Sequence, residues 1–284
     1  MRILSEPGDL AKVLGHPHSA ACSFVPTMGA LHEGHLALAR RAAELFRPVV
    51  MSIFVNPTQF APGEDFDRYP RTLDADAALA KQAGVDIIFT PTVQGVYPQG
   101  PSAGLGIRAV PSVAHAPGLE EAFRPGHFGG VCQVVARLFD LVRPAVAVFG
   151  EKDYQQLRVI EQLVEQEYPR WGEMRIERLE TVREPSGLAM SSRNRYMTEP
   201  QREQALGLSK ALYAAQRASG PYEAEAVMDA ILKSHGLRVD YAVVRDATTL
   251  QPMTTRSGSA RALIAARLET VRLIDNMAIR FSDR

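Results

Sequence analysis

Residues 24–35 read FVPTMGALHEGH, an apolar stretch that runs into a glycine-containing turn and then into a helical pattern. Before the turn, Ala21–Val25 carries the small and apolar side chains of a buried strand. After the turn, Leu36–Phe46 repeats apolar residues at the spacing of an amphipathic helix. A second apolar strand, Val49–Val55, follows almost at once. This order predicts parallel strands covered by helices.

The same alternation continues to about residue 178. Strands that are apolar throughout are typical of a parallel sheet with helices on both faces. We therefore predict a Rossmann-like, doubly wound α/β domain, interrupted by a Pro- and Gly-rich excursion over residues 91–126. The further predicted elements are a helix at Leu73–Gly84, a strand at Asp86–Thr90, a helix at Val131–Val142, a strand at Ala145–Phe149 and a helix from about Tyr154.

From about residue 179 the order changes to helices followed by strands. Runs of one kind of element are typical of α+β folds. We predict a smaller C-terminal α+β domain over residues 179–284, beside a first domain over residues 1–178. Its predicted elements are helices at Pro200–Ala218 and Ala224–His235, and strands at Val239–Arg245, Arg261–Leu268 and Thr270–Ile274.

Composition argues against several classes of protein. The 284 residues include 32 basic and 32 acidic side chains, so the chain lacks the basic excess of a nucleic-acid-binding protein. Its 2 cysteines lie outside any CxxC or Cys/His pattern, which argues against a disulfide framework and a structural zinc site. No signal-peptide pattern opens the sequence, and the apolar runs are strand-sized. We expect a soluble, cytoplasmic protein without a membrane segment.

The turn after the first strand carries the first candidate site, MGALHEGH at residues 28–35. The carboxyl edge of a doubly wound sheet is where ligands bind, and the following helix offers N–H groups to phosphate. Gly29 and Gly34 let the backbone approach a ligand, and His32 and His35 can stabilise charge on phosphoryl oxygens. The structural alternative is a pair of histidines that cap the helix. HEGH is not the HExxH of a zinc site.

Two further polar turns follow apolar strands. FVNPTQF presents Asn56 and Gln59, whose amides can bind hydroxyl groups and a carboxylate, although a plain polar turn fits equally well. GEKDYQQ presents Lys152, a point charge for phosphate, and Asp153, which can cap the next helix or hold a ribose or magnesium.

Other segments are ambiguous when each is taken alone. MSSRN, from Met190 to Asn194, can be a mobile phosphate clamp or an exposed polar turn. Arg124 and His127 stand before a helix, where they can face an anion. A group of acidic residues has carboxylates that suit magnesium, although a position on the solvated surface is the better interpretation for them: Glu64, Asp65, Asp67, Asp74 and Asp76. Because several clusters fall at the carboxyl ends of predicted strands, the residues favour a nucleotide-using transferase or ligase.

Six motifs, in this order and spacing, resemble the pantothenate synthetase family: PTMGALHEGH, FVNPTQF, EDFDRYPRT, FRPGHFGGV, FGEKDYQQL and MSSRN. The resemblance runs from about Phe24 to Asn194, and more loosely beyond. It implies the HxGH nucleotidylyltransferase superfamily and an ATP-dependent condensation of (R)-pantoate with β-alanine. Pantoyl adenylate would be the intermediate, and pantothenate, AMP and pyrophosphate the products. It also implies Mg²⁺, a cytoplasmic homodimer and a C-terminal domain that closes over the active site.

The resemblance also implies roles for individual residues. His35 would be the proton donor, and His32 and Lys152 would act on the phosphates. Pantoate would be bound by Gln59, which would also contact β-alanine, and by Gln156, with Asn56 beside them. The residues that would hold ATP are Met28, Gly29, Ala30, Leu31, His32, Glu33, Gly34, His35, Gly150, Glu151, Lys152, Asp153, Val182, Met190, Ser191, Ser192 and Arg193.

Cys132 and Gln133 depart from the family pattern, because a small residue and a threonine are expected there. Two other functions compete with the one that the resemblance implies. Another HxGH nucleotidylyltransferase would share residues 28–35 but would have no reason to carry NPTQF together with GEKDYQQ. A nucleotide-binding regulator without catalysis is disfavoured by the presence of His35 and Lys152.

Overall fold

The computed structural model describes residues 1–15, 22–60, 63–64, 66–101, 103–104, 106–253 and 258–281. The chain divides into two units. The first consists of Met1–Ala114, Arg124–Glu151 and Gln156–Glu180, and the second of His115–Phe123, Lys152–Gln155 and Thr181–Arg284. Two short internal segments are thus grouped with the C-terminal part of the chain. It stays a prediction that residues 1–178 form the catalytic domain and that residues 179–284 form a domain that closes over the active site.

The first unit is built on a parallel sheet, and this confirms the predicted Rossmann-like architecture. Among the described residues it has six strands in the order β1-β4-β3-β2-β5-β6. Their bounds are β1 Arg2–Leu4, β2 Ser23–Thr27, β3 Val49–Ile53, β4 Ile87–Phe89, β5 Val146–Gly150 and β6 Arg175–Leu179. The chain moves outward from β2 to β4 and then returns to the other side of β2 with β5. The switch point of the topology therefore lies between β2 and β5.

Strands β1 and β6 were absent from the prediction, and both lie at edges of the sheet. β1 has only 3 residues, and β6 reads RIERL with its side chains exposed or half-buried. Edge strands commonly carry charges, so they lack the apolar run that indicates a central strand. The central strands β2 and β3 are buried along nearly their whole length, as their apolar sequences predict.

Helices cover both faces of this sheet and enclose its core. Their bounds are α1 Pro7–Leu14, α2 Glu33–Leu45, α3 Leu73–Gln82, α4 Val93–Val96, α6 His127–Val142, α7 Tyr154–Gln166 and α8 Tyr168–Trp171, while α5 at Glu120–Phe123 is counted with the second unit. Phe139 of α6 is fully buried and makes edge-to-face contacts with Phe24, Phe149 and Trp171 at centroid distances of 6.2, 6.4 and 5.4 Å. Each such aromatic pair adds about 0.5–1.5 kcal/mol beyond its buried area.

The second unit confirms the smaller α+β domain. Its antiparallel sheet has the order β7-β8-β9, with β7 at Arg238–Asp246, β8 at Gly258–Leu268 and β9 at Val271–Phe281. Helices α9 (Glu199–Ala215) and α10 (Pro221–Ser234) supply Leu208, Leu212 and Met228 to its core. In the part of the chain that the structure describes, no helix is both long and apolar enough to cross a membrane.

Candidate active site

Three of the predicted motifs follow three neighbouring strands of the first unit. Residues 28–35 follow β2, Asn56–Gln59 follow β3, and Gly150 ends β5. Because these strands are parallel, their carboxyl ends lie on one edge of the sheet. The turn after β2 and the end of β5 flank the switch point, which is where doubly wound sheets bind ligands.

The two histidines of the HEGH segment lie side by side at the start of α2. His32 is the N-cap residue, and its Nδ1 accepts a hydrogen bond from the Gly34 N–H at 3.2 Å. The ring of His35 lies 4.1 Å from that of His32, measured between centroids. A neutral His32 ring whose Nδ1 accepts a hydrogen bond carries its proton on Nε2. The capping alternative therefore holds for one nitrogen of His32, and the other nitrogen is a donor.

Asp76 on α3 is buried, so the expectation that this residue lies on the solvated surface is wrong. It is 2% exposed, and its carboxylate accepts the N–H groups of Ala30 at 2.9 Å and Leu31 at 2.8 Å. A buried carboxylate needs such partners, because an unpaired charge inside a protein is very costly. Asp76 therefore pins the turn that leads into the two histidines. The helical period was an available signal, since Asp76 stands one turn before the buried Ala80.

Gly29 fits this turn through both its backbone conformation and its lack of a side chain. Its φ is +84°, and a Cβ there would lie 3.0 Å from Asp76 Oδ2 and 3.0 Å from Ile53 Cγ2. The Gly29 N–H donates to Thr27 Oγ1 at 3.2 Å. The N–H groups of residues 29–31 are thus bonded within the protein. The contacts with ATP that are predicted for these residues would therefore use their other atoms.

Asn56 organises the turn that carries Gln59. It is 1% exposed, and its Nδ2 donates to Gln59 Oε1 at 3.2 Å and to the Gly130 carbonyl at 3.2 Å. Its Oδ1 accepts the Tyr97 hydroxyl at 2.9 Å. Gln59 Nε2 in turn lies 3.0 Å from Met28 Sδ, so the turns after β2 and β3 touch. Asn56 orients Gln59, and its own contact with pantoate stays a prediction.

Arg124 and His127 hold the carbonyl of Gln59, and Arg124 is itself held by an acid. Arg124 binds both carboxylate oxygens of Glu64, at 2.7 and 2.8 Å. Because arginine has no acceptor, its NH1 donates to His127 Nε2 at 3.0 Å, and His127 Nδ1 then donates to Gln59 O at 2.9 Å. Glu64 is therefore ion-paired and not merely solvated. The expectation that Arg124 faces an anionic ligand stays a prediction.

Among the acids of this region that the structure describes, no metal centre is found. Asp67 and Asp74 are exposed, and Asp65 lies outside the described residues. Within the described ranges, no three His, Cys, Asp or Glu side chains are grouped so that they could hold a metal ion.

In the second unit, Lys152 lies in a short 3-10 turn, Glu151–Asp153, just before α7. Its side chain is 21% exposed, and its Nζ lies 3.5 Å from Asp153 Oδ1. Gln156, further along the same motif, lies on α7 and is half-buried in the first unit. The Lys152 side chain thus keeps some access to solvent, as a phosphate-binding role requires.

The MSSRN segment belongs to a hydrogen-bonded hairpin of the second unit. The Met190 N–H donates to the Val182 carbonyl at 3.0 Å. Ser191 then caps a 3-10 turn, Ser192–Tyr196, by accepting the Arg193 N–H at 3.3 Å. Asn194 anchors the turn through Nδ2, which donates to Glu184 Oε1 at 2.9 Å and to Ala189 O at 3.0 Å. Val182 and Met190, both predicted to contact ATP, are therefore neighbours.

The two departures from the family pattern are packed inside α6. Gln133 donates from Nε2 to the carbonyls of Pro101 at 2.9 Å and Gly104 at 2.8 Å. Cys132 is buried, as is Cys22 just before β2. Burial raises the pKa of the Cys132 thiol to about 12 and that of Cys22 to about 11. Neither thiol is suited to act as a nucleophile near neutral pH.

We expect both thiols to resist labelling in the native protein at pH 8. Compared with a thiol whose pKa is 9.0, the reactive thiolate is about a hundredfold rarer for Cys22, and it is rarer still for Cys132. The measurement compares the reaction of a chromogenic disulfide reagent with native and with guanidinium-unfolded protein. Two thiols should react promptly after unfolding. Equally prompt reaction of the native protein would contradict the assigned burial.

Comparisons with known proteins agree over nearly the whole chain. The family model described as Pantoate-beta-alanine ligase matches residues 2–278. The chain is 48% identical over 278 residues to a pantothenate synthetase of a Nocardioides species, covering 92% of this chain and 79% of the relative. The crystal structure of pantothenate synthetase from Thermus thermophilus superposes with a TM-score of 0.89 at 42% identity, covering 98% of this chain and 99% of that one.

A second solved structure carries ligands. Pantoate-beta-alanine ligase from Francisella tularensis, complexed with β-γ ATP and β-alanine, superposes with a TM-score of 0.79 at 32% identity. The match covers 98% of this chain and 97% of that chain.

Proposed function

Because the chain belongs to the pantoate-beta-alanine ligase family and joins pantoate to β-alanine with ATP, we propose that it acts through a pantoyl adenylate. In the first step a carboxylate oxygen of pantoate attacks the α-phosphorus of ATP, and the bond to the leaving pyrophosphate breaks. In the second step the amine of β-alanine attacks the pantoyl carbonyl, loses a proton and expels AMP. The observation that carries this proposal is the HEGH turn at the switch point of the sheet.

The first step needs alignment and charge stabilisation more than an activated nucleophile, because the attacking carboxylate is already an anion. His35 acts as the proton donor to the phosphates, and His32 assists it. Support comes from the adjacent rings at the helix start and from the Nε2 proton of a neutral His32. Lys152 neutralises phosphate charge as a point cation.

The substrates divide between two sets of residues. Gln59 contacts pantoate and β-alanine, Gln156 contacts pantoate, and Asn56 lies beside Gln59. Support for Gln59 comes from the network of Asn56, Arg124 and His127, which holds both its side chain and its carbonyl. ATP is held by residues 28–35, by Gly150, Glu151, Lys152 and Asp153, by Val182 and by Met190, Ser191, Ser192 and Arg193.

Magnesium enters, in this proposal, as the complex with ATP. Mg²⁺ in nucleotide-using enzymes is usually bound by one or two carboxylates together with substrate phosphates and water. Asp153, which is nearly half exposed beside Lys152, is a carboxylate that can complete such a set. Bound in this way, the ion would neutralise negative charge on the phosphates.

We also propose a cytoplasmic homodimer, as the family resemblance implies. Two buried, reduced thiols suit a reducing compartment. Sedimentation equilibrium should give twice the chain mass of 31.1 kDa.

The reaction is tested by incubating the protein with ATP, magnesium, pantoate and β-alanine. We expect AMP and pantothenate to appear in equal amounts, and AMP release to depend on both pantoate and β-alanine. ADP in place of AMP would indicate an acyl-phosphate route. Release of AMP that does not depend on β-alanine would indicate that a different molecule accepts the pantoyl group.

Removing Gln156 should weaken pantoate binding far more than ATP binding. A buried polar ligand group left without its partner costs about 1–3 kcal/mol, which corresponds to roughly 5- to 150-fold in affinity. Calorimetric titration of Gln156→Ala with pantoate and separately with ATP measures both effects. The exposed Gln82 provides a matched control, Gln82→Ala, which should change neither affinity. A large loss of ATP affinity in Gln156→Ala would transfer this residue to the nucleotide site.

A further inference from the structure

The turn that carries Lys152 is tied to strand β9 of the same unit. Asn276, in the middle of β9, is 3% exposed, and its Nδ2 donates to the backbone carbonyl of Lys152 at 2.7 Å. These residues are 124 positions apart in the chain. The carbonyl belongs to the residue whose ammonium group is proposed to act on phosphate. A shift of this hydrogen bond therefore moves the backbone from which the Lys152 side chain extends.

The orientation of the Asn276 amide is determined by Arg261. Arg261 Nε lies 2.6 Å from Asn276 Oδ1, and a guanidinium only donates hydrogen bonds. The amide oxygen therefore faces Arg261, and the amide NH₂ faces Lys152. Arg261 on β8 is opposite Ala278, two residues beyond Asn276, so the two side chains are diagonal neighbours on one face of the sheet.

Arg261 also contacts the residue that begins α7. It is 6% exposed, and its guanidinium carbon lies 4.0 Å from the centroid of the Tyr154 ring, a cation–π geometry. The Tyr154 hydroxyl donates to the Ala247 carbonyl at 2.8 Å. The sheet therefore holds the Lys152 turn at two points, the carbonyl of Lys152 and the ring of Tyr154.

The neighbour of Asn276 on β9 holds the other predicted ATP-binding segment of this unit. The Asp275 carboxylate binds both terminal guanidinium nitrogens of Arg183, at 2.7 and 3.0 Å. Arg183 lies in the hairpin that pairs Val182 with Met190, and its NH1 also donates to Gly187 O at 3.1 Å. Two adjacent residues of β9 thus set the positions of the Lys152 turn and of the hairpin.

We propose that Asn276, oriented by Arg261, is a positioning residue for Lys152 in the ligation reaction. This inference rests on the proposed role of Lys152. Neither Asn276 nor Arg261 lies in one of the motifs that make up the candidate site. Asn276 acts by fixing the backbone from which the Lys152 side chain extends, so that its charge meets the phosphates in the transition state.

Asn276→Asp tests the proposal with almost no change of shape. The new carboxylate keeps an acceptor for Arg261 but places a second acceptor against the Lys152 carbonyl, which repels it. A displacement of about 1 Å at a reacting group can cost on the order of a hundredfold in rate. We expect kcat for ligation to fall about tenfold to a hundredfold. The KM for pantoate should stay within about twofold, because the lost interaction acts on the transition state.

A double-mutant cycle with Lys152→Ala separates positioning from other effects. If Asn276 acts through Lys152, Asn276→Asp should slow the wild type but cause no further loss in the Lys152→Ala background. Multiplicative losses would overturn the proposal while leaving the role of Lys152 intact. Near-native turnover of Asn276→Asp would also overturn it. Near-native turnover of Lys152→Ala would instead reject the role of Lys152 itself, and the inference with it.

Leu212→Ala is the matched control for general destabilisation of this unit. Leu212 is fully buried in the core of the second unit, and its truncation should lower the unfolding temperature while leaving kcat at 25 °C unchanged. An equal loss of kcat in this control would overturn the proposal. If Asn276→Asp does not fold, Arg261→Met takes its place, because it removes the donor that orients the amide. Arg261→Lys, which retains a donor, should recover part of the lost rate, and equal turnover of Arg261→Met and the wild type would overturn the proposal.

Discussion

Replacing His35 by alanine should abolish the exchange of labelled pyrophosphate into ATP. The wild-type protein, given ATP, magnesium and pantoate without β-alanine, should show this exchange because adenylate formation is reversible. His35 belongs to the step in which charge builds on the phosphates, so its loss removes transition-state stabilisation. We expect a loss of at least about a hundredfold, the scale of removing one such donor. The measurement is the transfer of label from pyrophosphate to ATP.

The same variant should be far less impaired when preformed pantoyl adenylate and β-alanine are supplied, since that step only expels AMP. The exposed His115 gives a matched control, and His115→Ala should exchange label at the wild-type rate. Equal damage to both half-reactions would mean that His35 maintains the site as a whole. A wild-type exchange that required β-alanine would remove the adenylate from the mechanism.

Lys152→Ala should lower the turnover of ligation by about a hundredfold or more, the loss expected when one electrostatic stabiliser is removed from a preorganised site. The unfolding temperature should barely change, because the Lys152 side chain is partly exposed and its ion pair with the half-exposed Asp153 is screened by solvent. Steady-state kinetics and thermal unfolding measure the two effects on the same preparation.

Lys152→Arg refines this test. It keeps the positive charge but replaces a compact ammonium by a planar fork, so we expect turnover between those of the wild type and Lys152→Ala. The control is Lys233→Ala, which should leave turnover unchanged. The Lys233 side chain is 67% exposed and is paired with Asp229 on α10. Native turnover in Lys152→Ala would contradict the assignment of Lys152 to the phosphates.

Local sequence determined the four inner strands of the parallel sheet, β2 to β5, and the positions of the motifs that follow three of them. A strand buried on both faces has to be apolar throughout, and a helix on its surface has to repeat at 3.6 residues, so both leave periodic signals. The turns were equally local. His32, Asn56 and Ser191 each bond an amide two residues away, a pattern that needs only neighbouring residues.

Tertiary structure decided which charged and polar side chains meet. Asp76 reaches Ala30 across 46 residues, Arg124 reaches Glu64 across 60, and Asn276 reaches Lys152 across 124. Periodicity indicates which face of an element is buried, but it carries no information about the partner on the other side. That partner is chosen by strand order and register, which bring distant segments together only when the chain folds. The supports of the candidate site, unlike its motifs, are therefore a property of the fold.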